Sequence, residues 1–191
     1  MNTFIFLFIL ITFTAILRLV ELNISLNNKV KRQKTKNWSE VKEGYFFLFV
    51  ILHILFLFSV PFEVYFLKRE FYHWLAWPSL LIFISCLIAR VHILSVMGKY
   101  WNVRIIYNTS EDSIVTNGIY QYIRHPNYLV VILEIFSLSL FHTAFYSMLT
   151  FSIANIILLS LRIPKEEKYL FSNPQYKKHF ENKKRFIPGI F

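Results

Sequence analysis

The feature that most restricts this chain is a series of long apolar stretches almost empty of charge. Asn2 to Leu17 carries no charged residue, and the run continues past Arg18 to Val20. Tyr45 to Phe62 is equally uncharged and extends to Leu67 past Glu63. Trp74 to Ala89 follows, continuing through Arg90 to Met97, and Tyr128 to Leu161 is interrupted only by Glu134 and His142. A helix needs ~20 mostly apolar residues to cross ~30 Å of hydrocarbon, so the first three runs read as single spans. The fourth is too long for one crossing and reads as two short ones with a tight turn near His142–Thr143. The expected fold class is an all-α integral membrane protein of about five transmembrane helices, the last two forming a helical hairpin.

Composition agrees. The 191 residues are 55% hydrophobic, with 21 Phe and only 4 Gly, more apolar matter than a soluble domain usually holds at ~45–50%. A single cysteine, Cys86, excludes a disulfide scaffold. The net charge of +10 invites a nucleic-acid reading, but its distribution speaks for topology. When the aqueous segments are assigned to alternate sides, every Lys and Arg except Lys68 and Arg69 falls on one side. Basic residues mark the cytoplasmic face, so the N-terminus is expected outside and the C-terminus inside, with the basic segments against anionic headgroups. Nucleic acid is not an expected partner, because no basic stretch accompanies a nucleic-acid fold. Met1-Asn2-Thr3 lacks the basic start of a secretory signal, and no small-residue cleavage site follows, so the first run reads as a retained anchor. High Phe, Ile, Lys and Asn usage points to an AT-rich bacterial genome and hence to the plasma membrane.

Two polar segments carry residues able to do chemistry. One runs from Gly98-Lys99-Tyr100-Trp101-Asn102 through a strand-like stretch Val103–Tyr107 and a polar turn at 108–112 to Gly118-Ile119-Tyr120, ending in Arg124-His125-Pro126-Asn127-Tyr128. The other opens at Arg162 and contains Glu166-Glu167. They bracket the expected hairpin, so its two mouths become neighbours, and Arg124-His125 should meet Arg162 and Glu166-Glu167 at one membrane-level site. Pro126 suits the first turn of a helix, its φ being fixed and no donor being lost; donors at that helix start, with Arg124 and His125 beside them, would favour an anion. Adjacent carboxylates in a lysine-rich tail do not serve anchoring and would suit a cationic ligand group. Charged or ionisable side chains within membrane helices are costly and usually functional. Glu134, two turns into its helix, is expected to face a polar cavity or a partner such as Arg90, and His53, mid-span, to pack between helices or line a pocket. Glu63 is expected to snorkel to the outer interface, and Arg90 to anchor at the inner one. No His, Cys and carboxylate grouping has metal-ligand spacing, so no metal is expected, and no nucleophile elbow or phosphate loop is present.

The string Gly118-x-Tyr120-x-x-x-Arg124-His125-Pro126-x-Tyr128, followed by Arg162 and Glu166-Glu167, resembles the isoprenylcysteine carboxyl methyltransferase family, multi-pass membrane enzymes that use S-adenosyl-L-methionine. The ending Tyr176 to Phe191, with Arg185-Phe-Ile-Pro-Gly, is similar to the family's tail. Arg18-Leu-Val-Glu21, Glu43-Gly-Tyr45, Leu52-His53 and Gly98-Lys-Tyr-Trp101-Asn102 resemble the bacterial branch that includes alkylpyrone O-methyltransferases. Leu129-Val130 stand where the eukaryotic enzymes have a glycine soon after the motif tyrosine, which weakens a prenylated-protein substrate more than it weakens methyl transfer. The resemblance implies a cytoplasmic cofactor pocket in which Tyr120, His125, Pro126, Tyr128, Glu166 and Glu167 hold S-adenosyl-L-methionine and Arg124 and Arg162 act in catalysis. It also implies a lipophilic small-molecule or prenylated substrate bearing an acidic oxygen; as ionisable residues within membrane helices, Glu134 and His53 are expected to line its pocket. On this reading residues 1–97 supply three membrane helices and 98–191 the catalytic region. Two competing readings are an NADPH-dependent membrane reductase of the sterol-reductase type and a non-enzymatic membrane scaffold.

Overall fold

The computed structural model describes residues 3–33, 38–108 and 114–189. The elements in order are α1 (Thr3–Gln33), β1 (Trp38–Glu40), α2 (Phe46–Phe66), α3 (His73–Met97), β2 (Ile106–Asn108), α4 (Pro126–Leu140), α5 (Phe145–Leu170) and α6 (Pro174–Phe180). Helices α1, α2, α3 and α5 are each long and apolar enough to cross a membrane, and α4 is a shorter apolar helix. This is the expected multi-pass helical membrane fold. The turn between α4 and α5 falls at 141–144, as the length of the fourth apolar run requires.

Two helices overrun their apolar stretches. α1 continues past Val20 to Gln33, and α5 continues past Leu161 to Leu170 with Pro164 inside it. The aqueous segments expected after the first span and from Arg162 onward therefore begin as continuations of α1 and α5. The strand-like reading of 103–107 narrows to β2, which pairs antiparallel with β1, Ser39 opposite Tyr107. Beyond Asn108 the expected polar turn lies outside the described residues.

The chain forms two compact units. The first comprises Met1–Leu19, Tyr45–Ala89 and Val130–Leu158. Its core is apolar, built on Leu7, Val60, Ala76, Phe83, Ile135 and Leu138. Aromatic contacts tie its helices, Phe6 to Phe141 at 5.4 Å and Phe56 to Phe151 at 5.6 Å between centroids. Its periphery is apolar as well: Phe58 and Trp74 are about three-quarters exposed, at 72% and 75%, which suits acyl chains rather than water.

The buried carboxylates of this unit, Glu63 and Glu134, are paired. Arg18 Nη2 donates to Glu134 Oε2 at 2.6 Å, so the glutamate takes Arg18 where sequence reasoning offered Arg90. Glu63 is also corrected. It does not snorkel but is buried, where its oxygens accept from the backbone N–H of Tyr146 (3.1 Å) and Ser147 (2.7 Å), and from Arg69 Nε and Nη2 at 3.0 and 2.6 Å. These amides are orphan donors in the first turn of α5, so a carboxylate from α2 caps the start of α5. The turn preceding α5 places Thr143 at φ +55°. That strained conformation is held by Thr143 Oγ1 donating to the Glu70 carbonyl at 2.7 Å.

The second unit comprises Val20–Gly44, Arg90–Leu129 and Leu159–Phe191. The C-terminal part of α1 organises it. Asn28 Nδ2 donates to the carbonyls of Gly98 and Trp101, both at 3.0 Å. Arg32 donates to the Lys99 carbonyl, and Ser25 Oγ accepts from the Val103 amide at 3.1 Å. Arg90 is buried at 2% exposure and donates to Glu21 Oε1 at 2.8 Å. An anchoring role at a membrane edge does not describe it; it is one half of a buried ion pair. Glu21 also accepts through its carbonyl from Trp101 Nε1 at 3.3 Å.

Candidate functional site

The site belongs to the second unit and is assembled by three pieces of backbone: the segment entering α4, the last turns of α5, and the tail after α6. Gly118 opens the first piece at φ +60°, a left-handed conformation natural to glycine. A Cβ there would fall 2.5 Å from His92 Nε2, so the motif glycine also answers a close approach. Pro126 is the first residue of α4 and is fully buried. A residue before proline is kept extended, and His125 uses that geometry to give its amide to the Arg185 carbonyl at 3.0 Å while Arg124 gives its own to Lys184 at 2.9 Å. The two amides just ahead of this helix start are thus taken by the tail.

Because α5 continues to Leu170, Arg162 and Glu166 stand one turn apart on the same side of it. His125 Nε2 lies 3.0 Å from Glu167 Oε1, and Tyr128 Oη donates to Glu166 Oε2 at 2.6 Å. His125 Nδ1 lies 3.8 Å from that same Glu166 oxygen. The His125 ring stacks on Tyr128 with centroids 5.3 Å apart and 21° between planes. The expected meeting of Arg124-His125 with Glu166-Glu167 is therefore present. Arg124 Nε comes to 3.5 Å from Glu167 Oε1. Arg162 joins through Tyr128, its guanidinium 5.8 Å from the ring centre, and it is oriented by donation to the Val103 carbonyl at 2.6 Å and by Glu43 at 3.6 Å.

Tyrosines close the surroundings. Burial pushes the Tyr120 phenol above its ordinary value, with Glu166 adding to the effect. Tyr176 of α6 is raised for the same reason, burial first and then the charges of Glu166 and Glu167. Both remain neutral donors at physiological pH. Arg185 is held above its usual range by its hydrogen bonds to Glu167.

Sequence reasoning assigned no role to Arg185 or Glu43. Arg185 donates to both oxygens of Glu167, at 3.1 and 2.6 Å, and Glu43 accepts from the Ile105 amide at 2.9 Å. Arg185 had a signal, since it stands in the tail string that resembles the family; its partner was not readable. Glu134 and His53 belong to the first unit. There they line one small cleft with Thr14, Arg18, Phe56, Leu57, Ile135 and Leu138, and His53 Nδ1 lies 2.7 Å from the Phe49 carbonyl of its own helix.

Comparison with known proteins agrees with this architecture. Residues 77–172 match the model of the isoprenylcysteine carboxyl methyltransferase (ICMT) family. The chain is 34% identical over 163 residues to the uncharacterized protein YpbQ of Bacillus subtilis (strain 168), covering 85% of this chain and 95% of that one. An uncharacterized protein of Haemophilus influenzae is 30% identical over 164 residues, covering 84% of this chain and 94% of that one. The fold is similar to that of the eukaryotic intramembrane Ras methyltransferase ICMT, with a TM-score of 0.62 at 22% identity. That match covers 78% of this chain but only 55% of the eukaryotic one, so the chain spans about half the length of that solved relative. With half the chain matched by the family model and the helical membrane fold in agreement, the protein belongs to the isoprenylcysteine carboxyl methyltransferase family.

Proposed function

We propose that this protein is a membrane-embedded S-adenosyl-L-methionine-dependent O-methyltransferase acting on an acidic oxygen, carboxylate or enol, of a lipophilic substrate. The observation that carries the reading is the joining of His125 and Tyr128 to Glu167 and Glu166 across about 40 residues of chain, at the mouth of the α4–α5 hairpin. The donor set suits the cofactor. Glu166, whose side chain is 21% exposed, offers a carboxylate to the sulfonium and amino groups, while Arg124 favours the cofactor's carboxylate. When bound, S-adenosyl-L-methionine would supply an electrophilic methyl group, to which the acceptor oxygen would bond in line as the carbon–sulfur bond breaks and the neutral thioether S-adenosylhomocysteine leaves.

The chain's own task is alignment. Such a transfer neutralises a cation with an anion and asks for little acid–base chemistry, and positioning alone contributes ~7–11 kcal/mol in well-oriented systems. Arg162, fixed by Val103 and Glu43, would hold the acceptor oxygen as its anion; a guanidinium does this with a rigid fork of donors. Tyr120, Tyr128 and Pro126 would wall the cofactor and exclude water. In this reading residues 98–191 carry the cofactor site, and the cleft at Glu134 and His53 receives part of the substrate within the membrane layer. An isoprenylcysteine and an alkylpyrone share the required chemistry, an acidic oxygen on a long apolar tail. Orientation with the C-terminus in the cytoplasm of a bacterial cell would put the site in contact with the soluble cofactor.

The test is saturable binding of labelled S-adenosyl-L-methionine to the purified protein, followed by methyl transfer into a lipid extract read as a mass shift of 14. Binding lost in Glu166→Ala and His125→Ala, with unfolding temperatures kept, is the expected result. Binding of NADPH instead, or of neither cofactor, refutes the proposal.

A further inference from the structure

The two adjacent glutamates are not equivalent, and the difference leads to a residue outside the expected site. A carboxylate offers about four acceptor positions. Glu167 fills three of them, two with the Nε and Nη2 of Arg185 and one with His125 Nε2, and Arg124 Nε stands 3.5 Å off. Its side chain is 10% exposed, against 21% for Glu166. A carboxylate so enclosed by cations has little left for a cationic ligand. Glu166 carries the Tyr128 hydroxyl on one oxygen.

The tail is bound to the same segment by its backbone. The carbonyls of Lys184 and Arg185 accept from the amides of Arg124 and His125, and Lys183 Nζ donates to the Tyr120 carbonyl at 3.2 Å. Three successive tail residues thus touch three residues of the candidate site. Arg185 does so twice, by its carbonyl on His125 and by its side chain on the carboxylate that faces the His125 ring. A carboxylate at Nε2 selects the tautomer with the proton on Nε2. That leaves Nδ1 turned toward Glu166, the ring lying flat on Tyr128.

We propose that Arg185 is a positioning residue of this site, acting through Glu167: the pair fixes the ring of His125, so that Glu166 faces the ligand and Glu167 holds the frame. This rests on the cofactor reading above and divides the labour of the glutamate pair within it. Arg185 itself touches no reacting atom.

The test is a double-mutant cycle on the full chain in detergent, with Arg185→Gln, Glu167→Gln and the double variant, reading S-adenosyl-L-methionine affinity and the unfolding temperature without ligand. A lost charge-assisted bond of roughly 1.4 kcal/mol is tenfold in affinity, so each single change should weaken binding about tenfold. The double variant should bind no more weakly than the worse single one, because both break one chain of contacts. Arg185→Lys, which keeps charge without the fork, should recover part of the loss. Additive losses, or unchanged binding in Arg185→Gln, overturn the proposal. Its failure is separable from failure of the cofactor reading, because 15N-histidine spectra need no ligand. The Nε2-bound proton of His125 should be seen in the wild type and shift in Arg185→Gln and Arg185→Lys, and an unmoved signal refutes the positioning role whether or not the cofactor binds.

Discussion

Replacing Glu63 by alanine tests how the start of α5 is held. Two effects are lost together. The first is a cap: the amides of Tyr146 and Ser147 lose their acceptor at 3.1 and 2.7 Å, and a missing helix cap costs ~0.5–2 kcal/mol. The second is the pair with Arg69. Stripping one member from a fully buried pair costs ~3–5 kcal/mol, but the Arg69 side chain is 22% exposed. Its head can turn to the interface along its apolar stem, so roughly 1–2 kcal/mol of that is expected here. The sum is a loss of about 1.5–4 kcal/mol for Glu63→Ala. Glu63→Gln keeps one acceptor for one amide and should lose about half as much. Reversible unfolding of the detergent-solubilised protein in mixed micelles, followed by helical circular dichroism, measures both. Were Glu63→Ala to unfold within about 0.5 kcal/mol of the wild type, the cap would be a contact without consequence, and the turn of the hairpin would owe its geometry to packing alone.

Three further outcomes are expected. Gly118→Ala must adopt φ +60° and displace the His92 ring; since His92 is exposed and can swing away, the left-handed backbone dominates and a loss of ~1–2 kcal/mol is expected by thermal unfolding. Asn155 is 1% exposed, and neither its Nδ2 nor its Oδ1 has a hydrogen-bond partner among the described residues, so Asn155→Leu should raise stability by ~1–2 kcal/mol, and a fall would show the amide to be engaged. Burial lowers the pKa of His142 below its ordinary value. The unfolded chain then takes up the proton first as pH drops below ~6.5, and stability should fall between pH 7 and 5 by at most ~1.4 kcal/mol per unit. In His142→Phe that part of the slope should vanish.

What could be read in advance follows from the cost of placing charge and backbone in hydrocarbon. The length of the run from Tyr128 to Leu161 demands a reversal, and the reversal brings His125 and Glu167 to one mouth; topology alone supplied that meeting. Pairing was another matter. Arg18 and Glu134 are 116 residues apart, and Arg90 and Glu21 are 69 apart. A rule that buried charges need partners does not say which partner when several stand at similar depth. Hydropathy also hid the full length of α1, because Glu21 ends the apolar run without ending the helix. Beyond it Ser25, Asn28 and Arg32 hold the 98–103 segment, a tertiary reason invisible to a window of composition. Glu63 read as a snorkelling carboxylate for a similar reason, since the amides it caps belong to another helix.

The length of α1 bears on how this protein can be rebuilt. Thirty-one residues make a rod of ~46 Å at 1.5 Å per residue, against ~30 Å of hydrocarbon. Its surplus is a mast on which Gly98, Lys99, Trp101 and Val103 are rigged. A foreign membrane anchor grafted in its place would still tether the chain to the bilayer, yet leave that rigging slack. Chimaeras between relatives should therefore exchange α1 together with the stretch it carries, treating the two as one spare part.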